Sequence, residues 1–336
     1  MIRGKVARKA SSLGVSRAQA SLAVSAVVVL GVSPSFVDKS TVSLLFYLMM
    51  WVCLAQSFNL FTGLTGYVNF GNVVFYGVGA YATAVAMAYW DASPYLAIIL
   101  GGAFSAVLAL GMSFPTLRLR GAYFAIATLS IQQAVFLLFD NWGYVNTAAG
   151  ISIPVKFYDP VLQYYTMLVV SAGTVAVFFV VSRSRVGKAL RAIRLQEETA
   201  LSIGINSTLY KTMAFVISGF LAGLGGGTAI WNISFIDPTS GFPGTITLTV
   251  ISMAMLGGLG TLIGPVVGSL ILYLTGYYLI LQYPYLHLII FGAIIMAVVL
   301  VLPNGIVGFV RGRARGGSMR NSVLRFRRMG RPEEER

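Results

Sequence analysis

The side chains able to do chemistry in this chain fall into two groups. The first is a set of uncharged amides and phenols in apolar surroundings: Asn59, Asn69, Asn72, Tyr76, Tyr123, Gln132 and Gln133. Such groups exchange hydrogen bonds without carrying charge. They suit either the lining of a path for a polar solute or the bonding of one helix to another. The second group lies in the segment SRSRVGKALRAIRLQEETALSIGINSTLYK at 182–211. Between 186 and 202, Ala189, Leu190, Ile193, Ala200 and Leu201 are interleaved with Arg191, Arg194, Glu197 and Glu198. That spacing predicts one helix over 186–202, ended by Gly204 and Asn206. Its apolar stripe and charged face fit the membrane interface or a groove in a partner.

Catalytic constellations do not assemble. Cys53 is the one cysteine and His287 the one histidine, so an internal disulfide, a zinc site and a thiol redox pair are excluded. No GxxxxGK[ST] run is present, so the chain is not expected to bind ATP through a phosphate-cradling loop. Gly77-Val-Gly79 mimics part of a dinucleotide fingerprint, but no strand precedes it and it lies in an apolar run. No residues offer a nucleophile, base and oxyanion set. The expectation is a protein that is not an enzyme and needs no cofactor or metal.

The elements that must position these groups are membrane helices. Of 336 residues, 57% are apolar and 10% charged, and the mean hydropathy is +0.81. A soluble domain carries roughly 25% charged residues, so a soluble enzyme, a disordered chain and a nucleic-acid binder are excluded despite the net charge of +14. Runs of roughly 18 or more apolar residues read as membrane spans. Ten are predicted, at 20–37, 42–62, 68–90, 94–114, 121–139, 161–182, 211–233, 245–263, 265–282 and 285–302. The first is read as an uncleaved span, because Pro34 follows the signal-like Gly31-Val32-Ser33 and the run is too long for a leader.

Basic residues orient the bundle. With both termini in the cytoplasm, only Lys39 and Lys156 of the 24 basic residues fall outside. Asp38, Asp91, Asp140, Asp159 and Asp237 fall outside as well. The expected organisation is all-α: a basic cytoplasmic segment at 1–19, a polytopic bundle at 20–310 with a cytoplasmic loop at 183–211, and a basic, disordered tail at 311–336. The basic ends suit anionic lipid headgroups rather than nucleic acid. The span interiors carry no acid, lysine or arginine, and His287 sits near the outer end of the last. Proton-coupled carriers, which need ionisable groups within the membrane, are therefore disfavoured.

Glycine marks two features. Residues 62–81 (TGLTGYVNFGNVVFYGVGAY) hold five glycines with Asn69 and Asn72. This third span is read either as a helix broken at membrane depth, its amides satisfying freed backbone groups, or as a close-packed helix. Gly219, Gly223 and Gly227, and again Gly260, Gly264 and Gly268, put small residues on one helix face as packing seams.

These blocks carry a family resemblance. Residues 59–81, 117–129 (LRLRGAYFAIATL), 184–227 and 257–268 (GGLGTLIGPVVG) resemble the permease subunits of branched-chain amino-acid ABC importers, the LivM-like branch. The resemblance implies a prokaryotic cell-membrane protein that forms a translocation pathway. Its implied partners are a second homologous permease, two ATPase subunits and an extracytoplasmic solute-binding protein. It also implies that the helix at 186–204 docks into an ATPase. There Glu198-Thr199-Ala200-Leu201-Ser202-Ile203-Gly204 matches the E-A-A-x-x-x-G pattern with Thr for the first Ala. The coupling residues would be Gly187, Arg191, Arg194, Glu197, Glu198, Ala200 and Gly204. Relatives commonly carry Gly-His where Gly71-Asn72 stands and Leu-Ser where Val68-Asn69 stands. Urea or short-chain amides therefore stand as alternative substrates, and a passive channel as the alternative class.

Overall fold

A computed structural model describes residues 38–283 without a gap, together with isolated residues at 30–31, 34, 286, 289–290, 292–293, 296 and 305–307. The segment at 1–19, most of the first and last predicted spans, His287 and the tail at 311–336 lie outside the described residues.

The chain is a polytopic helical membrane protein. Helix α1 (Lys39–Phe58) runs into a π-helical turn at Asn59–Gly63. Then follow α2 (Asn72–Ala88), α3 (Pro94–Thr116), α4 (Ala122–Asn141) and α5 (Pro160–Arg183). Two short amphipathic helices come next, α6 (Arg185–Leu195) and α7 (Glu197–Ser202). The remainder is α8 (Ser207–Ile233), α9 (Pro238–Gly241), α10 (Gly244–Gly257) and α11 (Gly264–Gln282). Seven described stretches are long and apolar enough to cross a membrane, and α2 is a shorter apolar helix. A two-residue ladder pairs β1 (Ile151–Ser152) antiparallel with β2 (Phe235–Ile236), Ile151 opposite Ile236.

Local chemistry sets the helix starts. Asp159 accepts from the backbone N–H of Val161 and Leu162 ahead of α5, whose first residue is Pro160. Asn206 accepts from Leu209 N–H at 3.1 Å to open α8. Asp237 and Ser240 form a reciprocal capping box at α9.

The centre is a three-helix contact of α2, α3 and α8 made possible by glycine. A Cβ on Gly79 would lie 2.4 Å from the backbone of Gly223, and one on Gly223 would lie 2.4 Å from Ser105 Oγ. One on Gly219 would meet Ala109 at 2.7 Å, and one on Gly227 would meet Thr83 Oγ1 at 2.3 Å. The seam at 219, 223 and 227 is thus the packing surface its spacing suggested. Where backbones close this tightly, hydroxyls bond across: Ser105 Oγ donates to Phe75 O at 2.8 Å and Thr83 Oγ1 to Ala97 O at 3.2 Å.

The second glycine series is corrected at one position. Gly264 and Gly268 pack tightly against Gly257 and Met253, but α10 ends at Gly257 and Gly260 belongs to the following turn, with φ +79°. The predicted span at 245–263 is shortened accordingly.

These contacts predict that Gly223→Val lowers the melting temperature of the detergent-solubilised protein, at a cost of about 1–3 kcal/mol for overpacking. Gly111, where an added Cβ would meet nothing within 4 Å, is the matched control. Gly111→Ala should leave the melting temperature unchanged or raise it, as read by differential scanning fluorimetry.

Candidate functional site

The helical path is interrupted at 66–71, ahead of α2, which is itself continuous and close-packed, with Gly77 against Phe242 and Gly79 against Gly223. At 1.5 Å per residue the 17 residues of α2 span about 26 Å, short of a roughly 30 Å hydrocarbon core. A non-helical stretch at 66–71, opened by Gly66 at φ +81°, precedes α2. Backbone groups freed by the break must find partners inside the protein. Tyr67 N–H donates to Thr65 Oγ1 and Gly71 N–H to Asn69 Oδ1. Phe70 N–H donates to Thr128 Oγ1 on α4, and Val73 N–H to Thr247 Oγ1 on α10, both at 3.1 Å. Gly71 is required here, since a Cβ would lie 2.7 Å from Thr128 O.

Polar atoms also stay unpaired, two of them on Asn69 and Asn72 beside this stretch. Among the described residues, Asn69 Nδ2, Asn72 Oδ1, Thr62 Oγ1, both amide atoms of Gln56 and Tyr81 Oη are buried without a hydrogen-bond partner. Each such group disfavours the packing that isolates it by about 1–3 kcal/mol.

The amides and phenols picked out from sequence divide by environment. Asn59 is an interhelical clamp: its Nδ2 donates to Thr261 O at 2.9 Å and its Oδ1 accepts from Gly260 N–H at 2.7 Å. Gly63 leaves it room, because a Cβ there would lie 2.1 Å from Asn59 Oδ1. Asn69 and Asn72 flank the start of α2, and Tyr76 is buried on the same helix. Gln132 donates to Phe242 O at 3.3 Å. Tyr123 and Gln133 are not brought to the break; both are exposed on α4. That helix buries only Phe124, Thr128 and Phe139. Its open face carries Tyr123, Ile126, Leu129, Gln133 and Leu137.

The single helix predicted over 186–202 is two helices. Gln196 adopts an extended conformation, φ −161° and ψ 107°, between α6 and α7. Gly204 ends the pair at φ +85°, as its residue type suggested. Gly187 is buried where α5 turns into α6, and a Cβ would lie 2.3 Å from Val181 O. Arg191 donates to the carbonyls of Gly187 and Ser182, closing that corner. Ala200 is buried.

Adjacent glutamates differ sharply. Glu198 is exposed and pairs with Arg120 at 3.1 Å. Glu197 accepts from Tyr67 Oη at 2.6 Å, and from Ser207 Oγ and Lys211 Nζ, both at 2.7 Å. Lys211 is 1% exposed and lies 4.6 Å from the Tyr67 ring centroid. Burial opposes ionisation of Glu197, but the hydrogen bonds from Lys211, Tyr67 and Ser207, with the lysine's charge, outweigh it and hold the carboxyl at about 2. Arg194 donates to Gly63 O. Tyr67 and Lys211 escaped the sequence reading as site residues. Their only signals were a tyrosine inside the glycine block and a cation at the lip of an apolar run.

The outward surface of this pair is mixed, with three exposed apolar side chains set among Arg185, Lys188, Gln196, Glu198 and Thr199. Leu195 is 88% exposed and Ile203 70% exposed, with Leu201 beside them.

A family model described as "Branched-chain amino acid transport system / permease component" matches residues 40–299. The chain is 26% identical to the high-affinity branched-chain amino acid transport system permease protein LivM of Salmonella typhimurium, over 83% of this chain and 72% of that protein. It is 26% identical to LivM of Escherichia coli, over 85% and 74%. It is also 26% identical to the permease protein LivH of Salmonella typhimurium, over 77% and 91%. No solved structure matches significantly.

The Glu197 anchor makes a pH prediction. A carboxyl whose pKa is lowered on folding contributes stability above its ordinary value near 4.5, lost as pH falls toward about 2. Glu197→Gln strands Lys211 without its counter-charge and should cost about 3 kcal/mol at pH 7. The gap in melting temperature between wild type and variant should hold from pH 7 to about 5 and narrow in more acidic buffer.

Proposed function

The chain belongs to the branched-chain amino acid transport permease family, and from that premise we propose that it forms the membrane pathway of an ABC importer for branched-chain amino acids. It is a multi-pass protein of a prokaryotic cell membrane. In this reading an extracytoplasmic binding protein delivers the solute, and a second, homologous permease completes the pathway. Two ATPase subunits drive the cycle from the cytoplasm. The bundle has ten spans with both termini inside, residues 20–310 forming the permease domain. The segments 1–19 and 311–336 act as basic cytoplasmic ends that meet anionic lipid.

The observation that carries the proposal is the pair α6–α7. It is fixed to the bundle on one side by Glu197, Arg194 and Arg191. On the other side it presents Leu195, Leu201 and Ile203 beside the exposed Glu198. Exposed apolar side chains set among charged ones, on a short helix pair, suit the groove of a partner protein. The positive-inside rule puts it in the cytoplasm with Arg118 and Arg120. An ATPase gripping it in two conformations would bias the bundle between two arrangements by differential fit.

The open face of α4 suits the second permease. LivM and LivH are both permease proteins of branched-chain transport systems, and this chain resembles each. Two copies of α2 and the stretch before it, facing each other across such an interface, would give an uncharged amino-acid side chain an apolar path, with Asn69, Asn72, Tyr76 and Gln132 as hydrogen-bonding groups. Urea and short-chain amides are not favoured, since the relatives are named for branched-chain amino acids.

Gentle-detergent purification of the tagged chain from its host tests the assembly. Two ATPase subunits and a second permease should travel with it. Ile203→Glu and Glu198→Lys should weaken ATPase retention about thirtyfold, as loss of an interface anchor worth about 2 kcal/mol does. Gly204→Pro should abolish leucine uptake. All three should leave the amount of chain in the membrane unchanged. A chain that purifies alone and passes solute without ATP would instead be a channel.

A further inference from the structure

We infer that Tyr67 and Arg194 are positioning residues that transmit movement of the α6–α7 pair to the break at 66–71. The inference rests on the docking reading above and deepens it by naming the route.

Two side chains join the cytoplasmic pair to the interrupted stretch ahead of α2. Tyr67, the second residue of the break, donates to Glu197 on α7. Its ring meets Phe124 of α4 edge-on at 5.4 Å between centroids, with the Lys211 ammonium of α8 over its face. One side chain therefore touches the break, α4, α7 and α8. Arg194 of α6 reaches the other end, bonding Gly63 O at the close of the π turn. Glycine makes the slot it occupies: a Cβ on Gly66 would lie 3.1 Å from Arg194 Cγ, and one on Gly260 would lie 3.0 Å from its Nη1. A shift of α6–α7 thus pulls on residues 63 and 67, on either side of Gly66.

The break is suited to respond. Its N–H groups are held by the hydroxyls of Thr65, Thr128 and Thr247 and by Asn69, not by a continuous helical ladder. Side-chain acceptors can be exchanged for others one at a time. The unpartnered Asn69 Nδ2 and Asn72 Oδ1 disfavour the arrangement described here, so an arrangement that gives them partners lies within reach of a modest push. The same movement reaches α4 through Phe124 and Thr128, hence the face assigned to the second permease.

The test uses the whole complex in lipid vesicles with ATP inside and leucine-loaded binding protein outside, reading ATP hydrolysis and leucine uptake together. Tyr67→Phe removes one hydroxyl and keeps the ring. It should retain the ATPase subunits, the melting temperature and ATP hydrolysis, while uptake per ATP falls several-fold. Arg194→Gln provides a second, independent variant with the same expected loss of coupling. Unchanged uptake per ATP in both single variants overturns the inference while leaving the docking reading intact. Wild type that retains no ATPase overturns the docking reading, and the inference with it.

Discussion

Inside a bilayer every backbone N–H and C=O must be bonded by the protein itself, and this fold is arranged around that constraint. Long helices meet it without help. The break at 66–71 meets it with threonine hydroxyls from α4 and α10, which dictates where those helices stand. The α2–α3–α8 contact follows the same logic. Glycine lets backbones approach until Ser105 and Thr83 can bond carbonyls on the neighbouring helix. Many polar residues within the spans are therefore structural, Asn59 and Gln163 among them. Polarity in a span does not by itself mark a pathway. The informative atoms are those left over once the backbone has been served.

Charge is handled just as economically. Glu197 and Glu198 are neighbours in sequence and opposites in environment. The first sits between Tyr67, Ser207 and Lys211, and the second reaches outward to Arg120. Both carboxylates ride on α7, started anew by the extended Gln196, and adjacent positions on one helix point about 100° apart. The kink turns a single helix into a bracket, with one arm closing the α5 corner and the other gripping the start of α8.

Much of this was legible in the sequence because its cause is local. Apolar run length gave the seven described stretches long enough to cross a membrane, and Gly204 gave the end of the α6–α7 pair. The spacing of Gly219, Gly223 and Gly227 gave a packing seam. The glycine and asparagine content of 62–81 left a broken and a close-packed helix both open, and only the fold shows the helix continuous from Asn72 with the interruption before it, held by Thr128 and Thr247. Gln196 carries no breaker signal, so its extended backbone was invisible. Gly260 has the spacing of a helix seam and the conformation of a turn, and spacing alone cannot tell these apart. Lys211 looked like one more cation enforcing orientation. Only the fold brings Glu197, 14 residues earlier, against it. Whatever depended on residues distant in sequence meeting in space had to wait for the structure.

The Asn59 clamp has a consequence for biogenesis. Its partners, Gly260 and Thr261, lie 201 and 202 residues further along the chain. While α1 enters the bilayer, the ribosome has not yet made them, and the amide must pass the intervening synthesis bonded to lipid headgroups, water or the insertion machinery. The π turn and the Gly63 pocket therefore acquire their final partners only after α10 has inserted. Maturation of the first described helix is thus one of the last events in assembly. A chain truncated before residue 260 would leave the Asn59 amide without these two partners.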